Sequence, residues 1–223
     1  MVQEAQVDRL TEQTADMLQA LTRADPDAAR LLPAVWRVLG EGRPATVEEI
    51  AAAAGLPAAP VAERLHSDPQ VELDRHGRVL GFGLTLLPTR HRIDLAGRAA
   101  ALYGWCGPDV LVVPWLLGVP GRISSRCPAT GTAITAHVGP EGVGEVAPAG
   151  AVVSFVDALD AADIRGSTCD RQHFFASREA AAGWLAEQTH GIVVPVAEAF
   201  QAMTRAFGRA GWSSARAKAT EAR

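Results

Sequence analysis

The sequence predicts an α+β protein: a helical, winged-helix-like N-terminal region, then a mostly antiparallel sheet flanked by helices. Three observations carry that expectation. Apolar residues recur at helical spacing from Leu10 to Leu65. A hairpin signal follows between Val71 and Phe82. Beyond Thr89, short strand-like segments are separated by Gly and Pro turns, with further helices among them.

Leu10, Met17, Leu18 and Leu21 mark one face of an opening helix. A second helix runs roughly from Pro26 to Leu39, apolar at Leu31, Leu32, Val35, Trp36 and Leu39, and Gly40 ends it. Thr46 followed by Glu49 is a capping box that opens the Ala-rich helix Val47–Ala54, which Gly55 terminates. A short helix spans about Ala59 to Leu65. Val71–Asp74 and Arg78–Phe82, joined through His76-Gly77, read as a hairpin. Helix, turn, helix, hairpin is a winged-helix pattern. The segment that would enter a DNA groove, Pro60 to His66, offers one Arg and one Glu. Groove readers carry several Arg, Lys, Asn or Gln side chains there, so the module is expected to serve packing rather than DNA.

In the second part, Leu95–Tyr103 reads as helical and leads to Trp105-Cys106-Gly107-Pro108-Asp109 and an apolar run. Strands are expected at Arg122–Ser125, Ala133–Val138 and Ala151–Val156. After the loop carrying Cys169 come a strand at His173–Phe175, a helix from Ser177 and a strand at Ile192–Val196. The last helix runs through Phe200, Met203 and Phe207. The expected division is a winged-helix-like domain over 1–88 and a catalytic domain over 89–223. The chain shows no internal repeat.

The 223 residues are 48% hydrophobic, enough to build a sizeable core. With 21 basic against 25 acidic residues the formal charge is −4, which argues against a protein that coats nucleic acid. The basic stretch with Arg205, Arg209, Arg216, Lys218 and Arg223 reads as a solvated, frayed end. The longest apolar run, Val110 to Val119, is broken by Pro114 and falls short of the ~20 residues of a membrane span. Glu4 and Asp8 do not suit a secretory signal. The expected location is the cytoplasm, where thiols stay reduced. Three widely spaced cysteines, Cys106, Cys127 and Cys169, also argue against a disulfide framework.

The chemistry concentrates around those cysteines. Gly107 suits a helix N-cap and Pro108 the first helical position, which places Cys106 just before a helix start. Unpaired N–H groups there favour a thiolate, the form that binds metals and attacks. Asp109 falls in the first turn, on the side of the sulfur. A buried small hydrophobe beside an ordinary first-turn acid is the bland alternative for these four residues. Cys169 lies between a polar loop and the aromatic strand ending in Phe175, at a plausible pocket rim. Its spacing to His173 occurs in metal sites, but structural zinc wants four ligands with close pairs, and His173 reads as a strand histidine with a satisfied hydrogen bond. Cys127-Pro128 opens a Gly-terminated loop and reads as a structural turn. No phosphate loop, dinucleotide-binding glycine fingerprint or Gly-x-Ser-x-Gly elbow is present.

Three strings, in this order, resemble the organomercurial (alkylmercury) lyases: Leu102 to Asp109, Ile123 to Gly131 and Cys169 to Ser177. The resemblance runs from about residue 30 to residue 207. It implies a winged-helix-like region followed by a family-specific α+β domain, the alkylmercury lyase catalytic domain. Carried over position by position, it implies catalytic roles for Cys106, Asp109 and Cys169, with mercury held on the two sulfurs beside the carboxylate, and a structural role for Cys127. Asp170 stands where some members have another cysteine, which bears on how readily the mercuric product leaves. Mercury(II) is soft and thiolate is the soft ligand. Two thiolates push electron density onto the attached carbon, and a nearby carboxyl can take a thiol proton and deliver it there. A helix start would favour ionised Asp109, whereas an apolar pocket near Trp105 would raise its pKa. The resemblance implies no dissociable cofactor, mercury being substrate and product. It implies as partners an organomercurial, cellular thiols that remove Hg²⁺, and a mercuric reductase, with no nucleic acid and no membrane. The competing readings are a winged-helix regulator sensing soft metals or oxidants through its cysteines, and a catalytically dead relative that sequesters mercury.

Overall fold

The computed structural model describes residues 2–24, 27–156, 160 and 162–212. The expected helix start at Pro26, the side chain of Leu21, and Arg216, Lys218 and Arg223 lie outside the described residues.

Four helices open the chain: α1 (Val2–Ala24), α2 (Ala28–Leu39), α3 (Val47–Ala54) and α4 (Ala58–Ser67). The Thr46/Glu49 box forms as the sequence predicts. Glu49 N donates to Thr46 Oγ1 at 3.2 Å, and Thr46 N donates to Glu49 Oε2 at 2.9 Å. Arg43 braces the same carboxylate from outside. Gly55, at φ +64°, closes α3 in the left-handed conformation.

The wing comprises β1 (Glu72–Leu73) and β2 (Val79–Phe82), but its strands do not stop at a domain edge. They continue through β3 (Leu84–Thr85) into β5 (Leu102–Gly104), β4 (His91–Leu95), β6 (Gly121–Arg126), β7 (Ala133–Gly139) and β8 (Gly142–Ala147). Every pairing is antiparallel, with Leu84 opposite Gly104 at the join. A second antiparallel sheet orders β10 (Phe174–Phe175), β9 (Val152–Phe155) and β11 (Ile192–Pro195). Helix α5 (Gly107–Leu117) is apolar on all sides, and Val110, Leu111, Val112, Val113 and Leu116 are fully buried. It packs against β4, β5 and α8 (Val196–Arg209), and α1 lies along α8, where Asp8 and Arg205 approach to 3.4 Å. The remaining elements are α6 (Ile164–Ser167), a 3-10 turn (Cys169–Arg171) and α7 (Ala182–Glu187).

Four expectations need correction. Leu95–Tyr103 is not a helix: β4 ends at Leu95, a turn with Gly97 at φ +72° follows, and β5 starts at Leu102. The alanines between suggest helix, but they span only the gap between two strands paired Ile93 to Leu102. The helix expected from Ser177 begins at Ala182, after a run of turns. Arg205 and Arg209 belong to α8 rather than to a frayed tail. Strands β3, β4 and β8 were not expected; β8, with Gly142 and Gly144, is held by pairing to β7 rather than by propensity.

Candidate active site

Cys106 lies between β5 and α5, in extended backbone at φ −133°, and is itself the N-cap. The cap therefore falls one residue before the expected Gly107, and Pro108 takes the second helical position. Cys106 N donates to Asp109 Oδ2 at 3.1 Å, and Asp109 N–H returns to the Cys106 sulfur. The turn is tight enough to need a glycine before it. A Cβ at Gly104 would lie 2.9 Å from Cys106 O and 3.0 Å from Asp109 Cβ.

Cys169 starts the 3-10 turn between α6 and β10. Backbone bonds join the two thiol-bearing segments: Gln172 N donates to Cys169 O at 3.1 Å, and Gly107 N donates to Gln172 O at 3.2 Å. The two sulfurs and an Asp109 oxygen then all lie within 4.8 Å of one another. Among the described residues no other three His, Cys, Asp or Glu side chains converge in this way. Both thiols are buried, in a small apolar cluster with Trp105, Phe82 and Ile164.

Burial decides the protonation states. It pushes the Cys106 thiol well above the usual cysteine range, reinforced by the neighbouring Cys169 and by the charge of Asp109. The sequence-based expectation of a thiolate at the helix start is overturned, because desolvation outweighs the hydrogen bond from the helix N-terminus. Burial also raises the Asp109 carboxyl to about 6, against hydrogen bonds from Cys106 and Trp105 that lower it. Asp109 keeps some accessible surface because it lines a cavity. The resting site thus holds a neutral Cys106 thiol beside a carboxyl poised between its two forms.

That cavity, of about 160 Å³, is lined by Cys106, Asp109 and Cys169 at one part. Apolar walls come from Leu10, Met17 and Leu18 of α1, Trp36 of α2, and Met203 and Phe207 of α8. The N-terminal helices therefore form part of the chamber in which the thiols sit.

Cys127 stands apart from the cluster. Burial raises its thiol, but hydrogen bonds from Thr130, Ala176 and Ala129 outweigh that and leave it below the usual value. His173 is not the satisfied strand histidine that was expected. Its Nδ1 is buried without a partner, and its ring stacks on that of buried His91 with centroids 6.0 Å apart. Sequence reasoning gave no role to Glu72, Arg165 or Gln172. No local motif marks them; they reach the site from the wing, from α6 and from the turn after Cys169.

Comparison with known proteins adds relatives to this geometry. A family described as alkylmercury lyase matches residues 84–208, and one described as the helix-turn-helix domain of alkylmercury lyase matches residues 9–83. The chain is 43% identical over 178 residues to the alkylmercury lyase of Streptomyces lividans, covering 78% of this chain and 82% of that one. It is 43% identical over 165 residues to that of Staphylococcus epidermidis (74% and 76%) and 41% identical over 172 residues to that of Pseudomonas putida (77% and 80%). The crystal structure of the mercury-bound form of MerB2 superposes with a TM-score of 0.74 at 22% identity, covering 89% of this chain and 99% of that one, and so shares the fold.

Proposed function

This chain belongs to the alkylmercury lyase family, and from that premise we propose that Cys106 and Cys169 bind substrate mercury while Asp109 moves the proton. Its activity is protonolysis of the carbon–mercury bond of alkyl- and arylmercury compounds, giving a hydrocarbon and Hg²⁺. The observation that carries the residue roles is the approach of two sulfurs and one carboxylate within 4.8 Å at the wall of an apolar cavity.

The substrate enters as R–Hg–X, with X a thiolate from the cell. Ionised Asp109 takes the proton of one buried thiol as that sulfur forms its bond to mercury. The other thiol proton leaves with X as a free thiol when the second sulfur displaces it. Mercury then carries two soft thiolates and the carbon. The carbon–mercury bond breaks, its electron pair takes the proton from Asp109, and R–H departs. Hg²⁺ stays on the two sulfurs until external thiols, and then a mercuric reductase, take it.

No dissociable cofactor enters this scheme. Exposed Asp170 lies 3.7 Å from Arg165 rather than supplying a further sulfur, so product leaves to external thiol without a protein relay. Residues 89–223 carry the chemistry, while 1–88 close the chamber. Among the described residues no helix is long and apolar enough to cross a membrane. The cytoplasm, with its reduced thiols, suits three free cysteines. The regulator reading has little to draw on: the exposed positions of α4 that bear charge are Glu63 and Arg64.

The deciding experiment is incubation with phenylmercury and excess thiol, with assay of benzene and Hg²⁺. Stoichiometric mercury capture without benzene would make the chain a mercury-sequestering relative.

A further inference from the structure

We propose that Glu72 is a positioning residue that holds the two thiol-bearing segments in register for ligation of mercury by both sulfurs; this rests on the lyase reading above. Glu72 lies in the wing hairpin, far in sequence from either cysteine. Its carboxylate, with the side chain 16% exposed, receives three donors. Thr85 Oγ1 donates to Oε2. Trp105 Nε1 donates to Oε1 at 3.2 Å, and Arg165 Nη1 donates to the same oxygen at 2.7 Å. Trp105 directly precedes Cys106, and Arg165 lies four residues before Cys169. One carboxylate therefore grips a neighbour of each thiol.

The segment before Cys169 needs such a grip. Helix α6 has four residues, none of them fully buried, and only Ile164 packs against the thiol cluster, so packing alone holds it lightly. Gln70 adds a second hold, its Oε1 accepting the backbone N–H of Ile164 at 2.7 Å. Charge-assisted hydrogen bonds to a half-enclosed carboxylate are the stronger kind. The sheet is also cleared for this contact. Glu72, Gly81 and Thr85 lie opposite one another across β1, β2 and β3. A Cβ at Gly81 would overlap Glu72 Oε2 and lie 2.5 Å from Thr85 Oγ1, so only glycine there lets the carboxylate cross to Thr85 and turn to Trp105.

The test uses the full chain and three variants: Glu72→Gln removes the charge, Gly81→Ala displaces the unaltered carboxylate together with its partner Thr85, and Arg165→Gln cuts the latch from a side chain 41% exposed. Each is assayed for benzene release from phenylmercury, for the ultraviolet mercury–thiolate absorption on titration with Hg²⁺, and for thermal melting. Expected is a fall in kcat of about 10–100-fold, the usual loss when a supporting contact around a metal site is removed. The absorption of mercury held by two thiolates should weaken in parallel, and combining Glu72→Gln with Gly81→Ala should add little. Wild-type kcat and absorption in Arg165→Gln overturn the proposal, whatever the two core variants do. So does a lowered melting point with unchanged turnover, which would make Glu72 structural only. Failure of the unmodified chain to release benzene would instead sink the lyase reading.

Discussion

Asp109 and Cys106 cap one helix for each other: the carboxylate accepts the cysteine N–H at 3.1 Å, and the sulfur accepts the aspartate N–H. The usual box of this kind pairs Ser or Thr with Glu or Gln. Here the capping partners are a thiol and a carboxyl, so the bonds that start α5 also hold that carboxyl beside the sulfur. In the mechanism proposed above structure and chemistry use the same two side chains, and a substitution must be chosen to separate them.

Asp109→Asn does so. The amide oxygen can still accept the Cys106 N–H, so the turn and mercury capture should persist. Benzene release should slow by about 10²–10⁴, the worth of a positioned acid or base, or roughly 3–5 kcal/mol of barrier. Binding and hydrocarbon release are measured separately on the same protein. Near-normal release would return Asp109 to an ordinary first-turn acid.

The raised carboxyl pKa sets a pH dependence. In the mechanism proposed above, Asp109 must be ionised to accept a thiol proton, so kcat/KM should fall as pH drops below about 6. The limb should vanish in Asp109→Asn. Stability runs the other way. A carboxyl raised from 3.8 to about 6 favours the protonated fold, so stability is full below pH 4 and lost as pH rises through 6. At 1.36 kcal/mol per unit the loss is about 3 kcal/mol, and Asp109→Asn should melt higher than wild type at pH 7. A lower melting point would contradict the burial account.

In the proposed mechanism mercury ligation depends on two sulfurs. Cys106→Ser and Cys169→Ser should each abolish benzene release, since oxygen is a harder ligand. Cys127→Ser should keep turnover and lose mainly stability, because its sulfur is bound by loop N–H groups away from the cavity. Full activity in Cys169→Ser would overturn two-sulfur ligation.

Local chemistry was legible in the sequence, and distant convergence was not. The Thr46/Glu49 box, the Gly55 stop and the hairpin through His76-Gly77 each depend on neighbours in the chain. The nearness of Cys106 and Asp109 was likewise written in their spacing. The ionisation of Cys106 was misjudged because a helix start is a local feature, whereas burial by Phe82, Ile164 and Cys169 comes from elsewhere. Glu72 and Arg165 were invisible for the same reason, lying 93 residues apart in sequence.

Acid should weaken the fold through His91. Burial, followed by the charges of His173 and Arg90, depresses its pKa from 6.5 to about 3. The neutral ring is the folded form, so stability is full above pH 6.5 and lost as pH falls toward 3. Between pH 7 and pH 5 the loss amounts to about 2 kcal/mol. Melting at both pH values should show the gap shrinking in His91→Leu. An unchanged gap would place the acid sensitivity elsewhere.

The N-terminal module should prove inseparable from catalysis. Leu10, Met17, Leu18 and Trp36 wall the cavity, α1 covers α8, and β1–β3 extend the main sheet through the Leu84–Gly104 pair. Removing residues 1–80 should therefore expose the apolar face of α8 and strip the sheet of β1, giving aggregated, inactive protein. A gentler variant asks the same question. Gly83 sits at φ +75° with Trp36 Cζ2 2.9 Å from where a Cβ would be, and its carbonyl accepts the Trp105 N–H at 2.8 Å. Gly83→Ala should cost about 1–2 kcal/mol for the left-handed backbone alone, with more from displacing Trp36. Because Gly83 joins Trp36 to the residue before Cys106, turnover of phenylmercury should fall along with the melting point. A soluble truncated fragment with full benzene release would show instead that the module is an independent domain, and normal turnover in Gly83→Ala would show that the chamber tolerates a shifted Trp36.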